Sequence, residues 1–290
     1  MTIEEFQRFT QKPVLLDGAT GSCLMAAGMP RGICVEKWIC EHKEIIQKLQ
    51  RDYIEAGSQV IYAPTFGANR INLTMHGLEQ DIEVLNTTLV GYTKEVAGHR
   101  AYVAGDITTT GKMMAPAGDL SYETAFETYR EQIRILAGAG VDFIIAETMI
   151  NIEETLAAID AARDACSLPI LCSMTVEADG SIFSGGNALE AAIALEAAGA
   201  SAVGLNCSVG PDQLCAIIRN IHEAVSIPVI AKPNAGMPFI DDMGNAHYSM
   251  SPEEFAEHMM TLVDCGATLI GGCCGTSPEY IRAVAEKLRG

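Results

Sequence analysis

One unit recurs along this chain: an amphipathic helix that ends in Ala-Gly or a close variant, followed at once by an apolar strand. It reads Glu55-Ala-Gly-Ser-Gln-Val-Ile-Tyr, Gly138-Ala-Gly-Val-Asp-Phe-Ile-Ile, Ala197-Ala-Gly-Ala-Ser-Ala-Val-Gly and Asp264-Cys-Gly-Ala-Thr-Leu-Ile. A glycine there suits the left-handed residue that ends a helix before a tight turn. The runs that follow are apolar almost throughout, as expected of parallel strands buried on both faces. Ser167-Leu-Pro-Ile-Leu-Cys-Ser and Ser226-Ile-Pro-Val-Ile-Ala-Lys also open strands after helices. Pro169 follows Gly140 by 29 residues, just as Pro228 follows Gly199. The middle of the chain is therefore two copies of one strand–helix–strand–helix module.

Adding Val14-Leu-Leu-Asp17 and Ala101-Tyr-Val-Ala-Gly105 gives eight strands, expected near 14–17, 59–64, 101–105, 142–147, 169–174, 202–206, 228–232 and 268–272. Helical patterns lie between them, for example over 42–56, 121–139, 152–165, 188–198, 212–225, 252–265 and 278–288. Strict alternation demands a parallel sheet with right-handed crossovers. Eight such units in one chain of this length predict an α/β (β/α)₈ barrel, a TIM barrel, spanning 1–290 as a single domain, with 1–13 as a short N-terminal extension. A doubly wound open sheet is the alternative, but no GxGxxG loop follows any strand. The Gly-, Pro- and Asp-rich stretch from Ala235 to Met250 is long for a strand-to-helix connection and reads as a candidate lid.

Net charge is −18 over 290 residues. That balance argues against nucleic-acid binding, which needs a clustered cationic surface. The N-terminus has no apolar signal-peptide core, and no stretch approaches the roughly 18 apolar residues of a spanning helix. A cytoplasmic location with no membrane partner is therefore expected. Ten cysteines in such a chain point to reduced thiols, packing or metal. Cys23, Cys34, Cys40, Cys166, Cys172, Cys215 and Cys265 read most simply as small apolar residues.

Chemistry in a barrel gathers at the C-terminal ends of the strands. Those ends form a ring of Asp17-Gly18, Thr65-Phe66, Asp106, Glu147, Thr175–Glu177, Asn206-Cys207, Lys232–Asn234 and Cys273-Cys274. Cys207, Cys273 and Cys274 sit at the ends of strands six and eight and can converge on one ion, with the Asn234 amide on strand seven between them. Three thiolates with a fourth position open describe a catalytic zinc. Buried apolar thiols, a strained vicinal disulfide and an iron–sulfur cluster are the competing readings. Zinc removes the proton from a thiol whose free pKa is near 8.5, and three thiolates leave the site anionic, which favours thiol alkylation over hydrolysis. Asp17 and Glu147 could hold a substrate ammonium. Gly18 and Gly21, beside Thr20, free backbone N–H groups for a carboxylate. Thr65 and Phe66 complete the candidate substrate contacts. The six histidines show no HExxH pairing.

GLNCS (204–208), KPNAG (232–236) and GGCCGT (271–276), with LDGATGS (16–22) and PTFGAN (64–69), resemble the homocysteine S-methyltransferase family over essentially the whole chain. The likeness is strongest to the homocysteine-binding module of cobalamin-dependent methionine synthases. The resemblance implies zinc on Cys207, Cys273 and Cys274, with Asn234 able to complete the shell. It also implies homocysteine held by Asp17, Gly18 and Glu147, and a methyl group moved to its sulfur to give methionine. Two positions depart from the pattern: Ser22 replaces a usual Thr, and Asp106-Ile-Thr-Thr-Thr-Gly111 replaces a usual Gly-Pro.

No Asp-x-His-x-x-Gly cobalamin signature occurs in the sequence. The expected donor is therefore methylcobalamin carried by a separate corrinoid protein. A small-molecule donor such as betaine or S-methylmethionine is the second expectation, and a non-catalytic zinc- or thiol-binding protein of the same fold the third.

Overall fold

The computed structural model of the chain describes residues 1–241 and 246–290. Ten strands follow one another: β1 (Val14–Leu15), β2 (Val60–Ala63), β3 (Tyr102–Ile107), β4 (Phe143–Met149), β5 (Ile170–Met174), β6 (Ala202–Cys207), β7 (Val229–Pro233), β8 (Pro238–Ile240), β9 (Ala246–Tyr248) and β10 (Ala267–Ile270). Eight of them form one parallel sheet in the order β1-β10-β7-β6-β5-β4-β3-β2, with helices between successive strands. The sheet nearly closes on itself. Its seam is bridged just before β2, where Gln59 N donates to Leu15 O at 2.7 Å and Leu15 N donates to Gln59 Oε1 at 3.1 Å. This is the expected TIM barrel.

Alternate strand residues point inward, as the pleat requires. Val14, Leu16, Val60, Tyr62, Ala104, Phe143, Ile145, Leu171, Ala202, Ile230 and Leu269 fill the barrel. The other faces pack against the helices in a second, larger apolar layer. The stretch 1–13 holds the helix Ile3–Phe9, capped reciprocally by Thr2 and Glu5. Its Phe6 is fully buried and meets Phe143, the first residue of β4, edge to face at 5.8 Å. That aromatic closes the N-terminal mouth, a burial worth roughly 2–3 kcal/mol.

The repeat behaves as its residues dictate. Gly140 and Gly199 end their helices with φ of +85° and +105°, angles that cost a side chain strain and cost glycine nothing. Asn187 and Ser251 begin helices with capping boxes to Glu190 and Glu254. Several bounds differ from the sequence expectation. β10 stops at Ile270 rather than 272, although Gly271 N still donates to Ala231 O of β7 and Gly272 N to Asp17 O, just past β1, both at 3.1 Å. β1 is likewise shorter, and a 16-residue helix, Ile82–Ala97, fills the interval before β3. Between β1 and the helix Lys43–Ala56, the short helices Gly21–Ala26 and Val35–Glu41 contribute to the barrel mouth. Their length and mixed composition carry no periodic signal.

Two cysteines expected to be free apolar residues are not. Cys215 and Cys265 form a disulfide across 50 residues, with Cα atoms 5.8 Å apart. One begins the helix Cys215–Ala224 and the other caps the helix Pro252–Asp264, so the bond depends on how these neighbours pack. The Arg219 guanidinium lies 3.6 Å from one sulfur and 3.4 Å from the other. Of the expected lid, residues 242–245 lie outside the described residues. On either side of them, β8 and β9 pair antiparallel, with Pro238 opposite Tyr248. Among the described residues, no helix is long and apolar enough to cross a membrane.

Candidate metal centre and substrate pocket

Cys207 ends β6, and Cys273 and Cys274 follow β10 after Gly271 and Gly272. The β7 end laces these turns together. Cys273 N donates to Pro233 O at 2.8 Å, Ala235 N to Cys274 O at 3.0 Å, and Asn234 N to Val209 O at 3.1 Å. Cys207 and Ser208 both adopt left-handed backbone, with φ of 59° and 66°. Such a pair of non-glycine residues costs of order 1–3 kcal/mol each and persists only where its surroundings hold it. Here Ser208 Oγ accepts from Val176 N at 2.8 Å and Ser208 O accepts from Asn234 Nδ2 at 3.2 Å.

The result is a cluster in which the three sulfurs all lie within 4.8 Å of one another, and Cys207 Sγ stands 3.9 Å from Cys274 Sγ. Sulfurs bound at 2.3 Å to one tetrahedral ion would be about 3.8 Å apart. Cys273 and Cys274 are not joined to each other. Hydrogen bonds from Cys207 and Cys273 hold the Cys274 thiol down to about 3, while sharing its proton with its neighbours pushes Cys207 far up. The cluster thus already favours a thiolate. Asn234 is buried, its Nδ2 is engaged by Ser208, and its Oδ1 has no hydrogen-bond partner. An orphaned buried carbonyl on the segment bonded to both cysteine turns fits a further oxygen ligand for a metal.

Two more residues touch the sulfurs. Asn206 Nδ2 donates to Cys273 Sγ at 3.8 Å and to Thr148 Oγ1 at 2.7 Å, while its Oδ1 accepts from Thr148 N and Ser173 Oγ. Tyr248, the last residue of β9, donates its hydroxyl to Cys274. Its ring explains one glycine of the GGCCGT run: a Cβ on Gly275 would lie 2.3 Å from the Tyr248 ring. Tyr248 carried no signal of its own in the sequence, because a three-residue strand is too short to leave a periodic pattern.

Next to the thiols opens a cavity of about 340 Å³. Asp17, Gly18, Phe66, Asp106, Glu147 and Lys232 are among the residues that line it, together with the three cysteines. Lys232, from β7, is buried; its Nζ donates to Asp17 Oδ1 at 3.0 Å, pairs with Glu147 Oε1 at 3.1 Å and sits 3.6 Å over the Tyr62 ring. Burial favours loss of its proton, but Asp17 and then Glu147 outweigh that and hold it well above the ordinary lysine value. Burial pushes Glu147 up to about 7 despite Lys232. Burial, and after it Glu147, lifts Asp106 well above the usual carboxylate range.

The expected substrate contacts fare unequally. Glu147 and Phe66 face the cavity. Asp17 faces it too, yet each of its oxygens already has a partner, Lys232 on Oδ1 and Tyr62 N on Oδ2 at 2.7 Å. Gly18 is needed for close packing, since a Cβ there would fall 2.7 Å from Thr276 O and 2.8 Å from Tyr53. Thr65 does not line the cavity; its hydroxyl ties β2 to β3 by donating to Asp106 O at 2.8 Å. The departure at 106–111 has an internal reason. Buried Glu154 accepts from Thr109 Oγ1, Thr110 N and Thr110 Oγ1, each at 2.7 Å, and from Tyr129 OH at 2.8 Å.

Comparison with known proteins adds three observations. The family model described as homocysteine S-methyltransferase matches residues 14–288. Methionine synthase of Mycobacterium leprae is 30% identical over 297 residues, covering 96% of this chain, and that of Mycobacterium tuberculosis is 30% identical over 294 residues, covering 95%. The chain spans about a quarter of the length of each, 24%. Among solved structures, the homocysteine methyltransferase MmuM of Escherichia coli superposes with a TM-score of 0.83 in its oxidised form and 0.81 in its metallated form. Identity is 21% in both, over 99% and 98% of this chain and 100% and 99% of the other. At that identity the likeness speaks for the fold.

Proposed function

The chain belongs to the homocysteine S-methyltransferase family, and we propose that it moves a methyl group onto the sulfur of homocysteine with the help of a zinc ion held by Cys207, Cys273 and Cys274. The observation that carries the proposal is the triangle of sulfurs, 3.9 Å along its Cys207–Cys274 edge, beside a cavity of amino-acid size. The unpartnered Oδ1 of Asn234 supports a further contact to the same ion. Escherichia coli MmuM, which has the same fold, has been solved in a metallated form. A zinc ion held by thiolates keeps a substrate thiol ionised at neutral pH.

The chain's own groups would orient the substrate. Glu147 faces the cavity and can accept from an ammonium, with Lys232 and Asp17 holding it in place. The 18–22 segment and Phe66 line the wall on which the rest of the amino acid would lie. Tyr248 and Asn206 donate to sulfurs of the cluster and fix their directions. In the reaction the thiol loses its proton, the sulfur forms a bond to the methyl carbon, and the bond from that carbon to the donor breaks with its electron pair leaving on the donor.

For the donor we propose a methyl-corrinoid (methylcobalamin) carried by a separate protein. The methionine synthase relatives support this reading, although the chain spans only a quarter of their length. One observation favours a small cationic donor such as S-methylmethionine or betaine instead: Asp17, Glu36, Asp106 and Glu147 line the cavity against a single lysine. Methionine formation from homocysteine, assayed in parallel with methylcobalamin, betaine and S-methylmethionine, separates the two. Methylcobalamin-dependent activity lost in Cys207→Ala is the expected result. A good rate with betaine or S-methylmethionine alone overturns the corrinoid reading. Homocysteine binding without turnover with any donor would leave a thiol-binding protein.

A further inference from the structure

Outside the metal cluster, burial pushes the free thiols of Cys23, Cys34, Cys40, Cys166 and Cys172 up. A thiol held in its protonated form is a poor nucleophile, so these five react slowly. The Cys215–Cys265 bond has different surroundings. Cys215 is half-buried, while Cys265 is only 3% exposed. Cys215 is the first residue of the helix Cys215–Ala224, which begins without a side-chain cap, and the free amides of a helix N-terminus favour an anion. Arg219 is exposed and lies one turn further on. Its Nη2 stands 3.6 Å from Cys215 Sγ and 3.4 Å from Cys265 Sγ. Among the described residues these two sulfurs are its hydrogen-bond partners, and it makes no ion pair with a carboxylate.

A disulfide sulfur is neutral and a weak acceptor, whereas a thiolate facing the same guanidinium would form a charge-assisted bond about twice as strong as a neutral one. The groups around the two sulfurs therefore suit the reduced pair better than the oxidised one. We propose that Cys215 and Cys265 form a redox-exchange site for low-molecular-weight thiols and their disulfides. Cys215 is the sulfur that takes the adduct, and Cys265 is the one that resolves it. Access assigns these roles, since Cys215 reaches solvent and Cys265 barely does. In reduction, a small-molecule thiolate attacks Cys215 Sγ and forms a new sulfur–sulfur bond there. The Cys215–Cys265 bond breaks, and its electron pair leaves on Cys265 Sγ, beside the guanidinium. A second thiolate then attacks the small molecule's sulfur in this mixed disulfide and releases Cys215 as a thiolate. Two small thiols are thereby oxidised to one disulfide, the two cysteines take the two electrons, and the two protons pass to them through solvent. The reverse sequence closes the bond again. Arg219 acts as a positioning residue that draws in the attacking anion and steadies the leaving one.

The test exposes the folded, zinc-loaded protein, with its bond closed, to reduced glutathione. Samples are quenched in acid at intervals, alkylated and read by mass spectrometry. The expected result is opening of the Cys215–Cys265 bond without denaturant, through an intermediate that carries one glutathione on Cys215. R219Q keeps a polar side chain and loses the charge. Its bond should open roughly 2–5-fold more slowly, the scale of one exposed ion pair. C265S lacks the resolving sulfur, so with oxidised glutathione it should gain an adduct on Cys215 about tenfold faster than C215S gains one on Cys265. A bond that opens only after denaturant is added is a structural crosslink, and that result overturns the proposal. An adduct found chiefly on Cys265 overturns the assignment of roles, and equal rates in R219Q and the native protein overturn the part given to Arg219. Circular dichroism checks that each variant is folded. Should the serine variants fail to fold, the adduct mapped during reduction of the native protein decides the same point, because that chain keeps both cysteines.

Discussion

Lys232 and Asp17, 215 residues apart, meet inside the barrel mouth with 3.0 Å between Nζ and Oδ1, and both are nearly inaccessible to water. The contact joins β7 to the turn after β1 and supplies the one positive charge in an acidic wall. It therefore governs both the stability of the mouth and the field that a substrate meets.

Replacing Lys232 by Met removes the cation and leaves Asp17 and Glu147 buried without it. Breaking a buried pair from one side costs about 3–5 kcal/mol. Urea unfolding of K232M should show a loss of that order, with a larger loss than in D17N, in which a hydrogen-bonding group survives.

Glu147 sets a pH dependence whose sign follows from burial. Its carboxyl is raised from 4.5 to about 7, so ionising it costs more in the folded protein than in the unfolded chain. The stability it contributes is complete below about 4.5 and is lost as pH rises through about 7. E147Q has no such loss. The difference in unfolding free energy, E147Q minus native, should therefore move in favour of the variant between about pH 5 and about pH 7.5 at fixed zinc. A flat difference would show that Glu147 ionises as freely in the fold as outside it.

Cys207→Ala removes one corner of the sulfur triangle while Asn206 and Asn234 keep their other bonds. The native chain should retain close to one zinc per molecule after dialysis against a weak chelator, and the variant should retain less than about a tenth of that, since two thiolates hold zinc far less well than three. Emission spectrometry on matched samples reads this directly, and circular dichroism checks that the variant is folded.

The Cys215–Cys265 bond closes a loop across 50 residues. On chain-entropy grounds such a crosslink is worth about 4 kcal/mol, so C265S should unfold at clearly lower denaturant. Thiol titration of chelated, denatured native protein should find eight reactive cysteines without reductant and ten after reduction. Ten in both would show that the two cysteines are free.

Much of the site was legible because it sits at the ends of regular elements. The helix–Gly–strand repeat locates each strand's C-terminal end to within a few residues, and Cys207, Cys273, Cys274, Glu147 and Lys232 all lie at such ends. Residues on irregular segments were not legible in this way. Tyr248 reaches Cys274 from the second strand of a hairpin, and Glu36 reaches Gly67 N at 2.7 Å from a short helix with no periodic pattern. Thr65 lies on the rim with its hydroxyl bonded to the neighbouring strand, and a hydroxyl at a strand end can serve the cavity or that strand equally well.

From its local pattern alone the chain determined an eight-stranded parallel barrel with three thiols on one rim, since hydrophobic period and helix-ending glycines are properties of neighbours in sequence. Only the tertiary structure decided which buried charges find each other. Lys232 could have paired with any carboxylate of the ring, and cross-barrel distances assign it to Asp17 and Glu147. The same distances leave Asp106 Oδ1 without a hydrogen-bond partner, and helix packing rather than spacing brings Cys215 to Cys265. Charge pairing acts over a few ångströms in space, and the order of residues along the chain does not contain those distances.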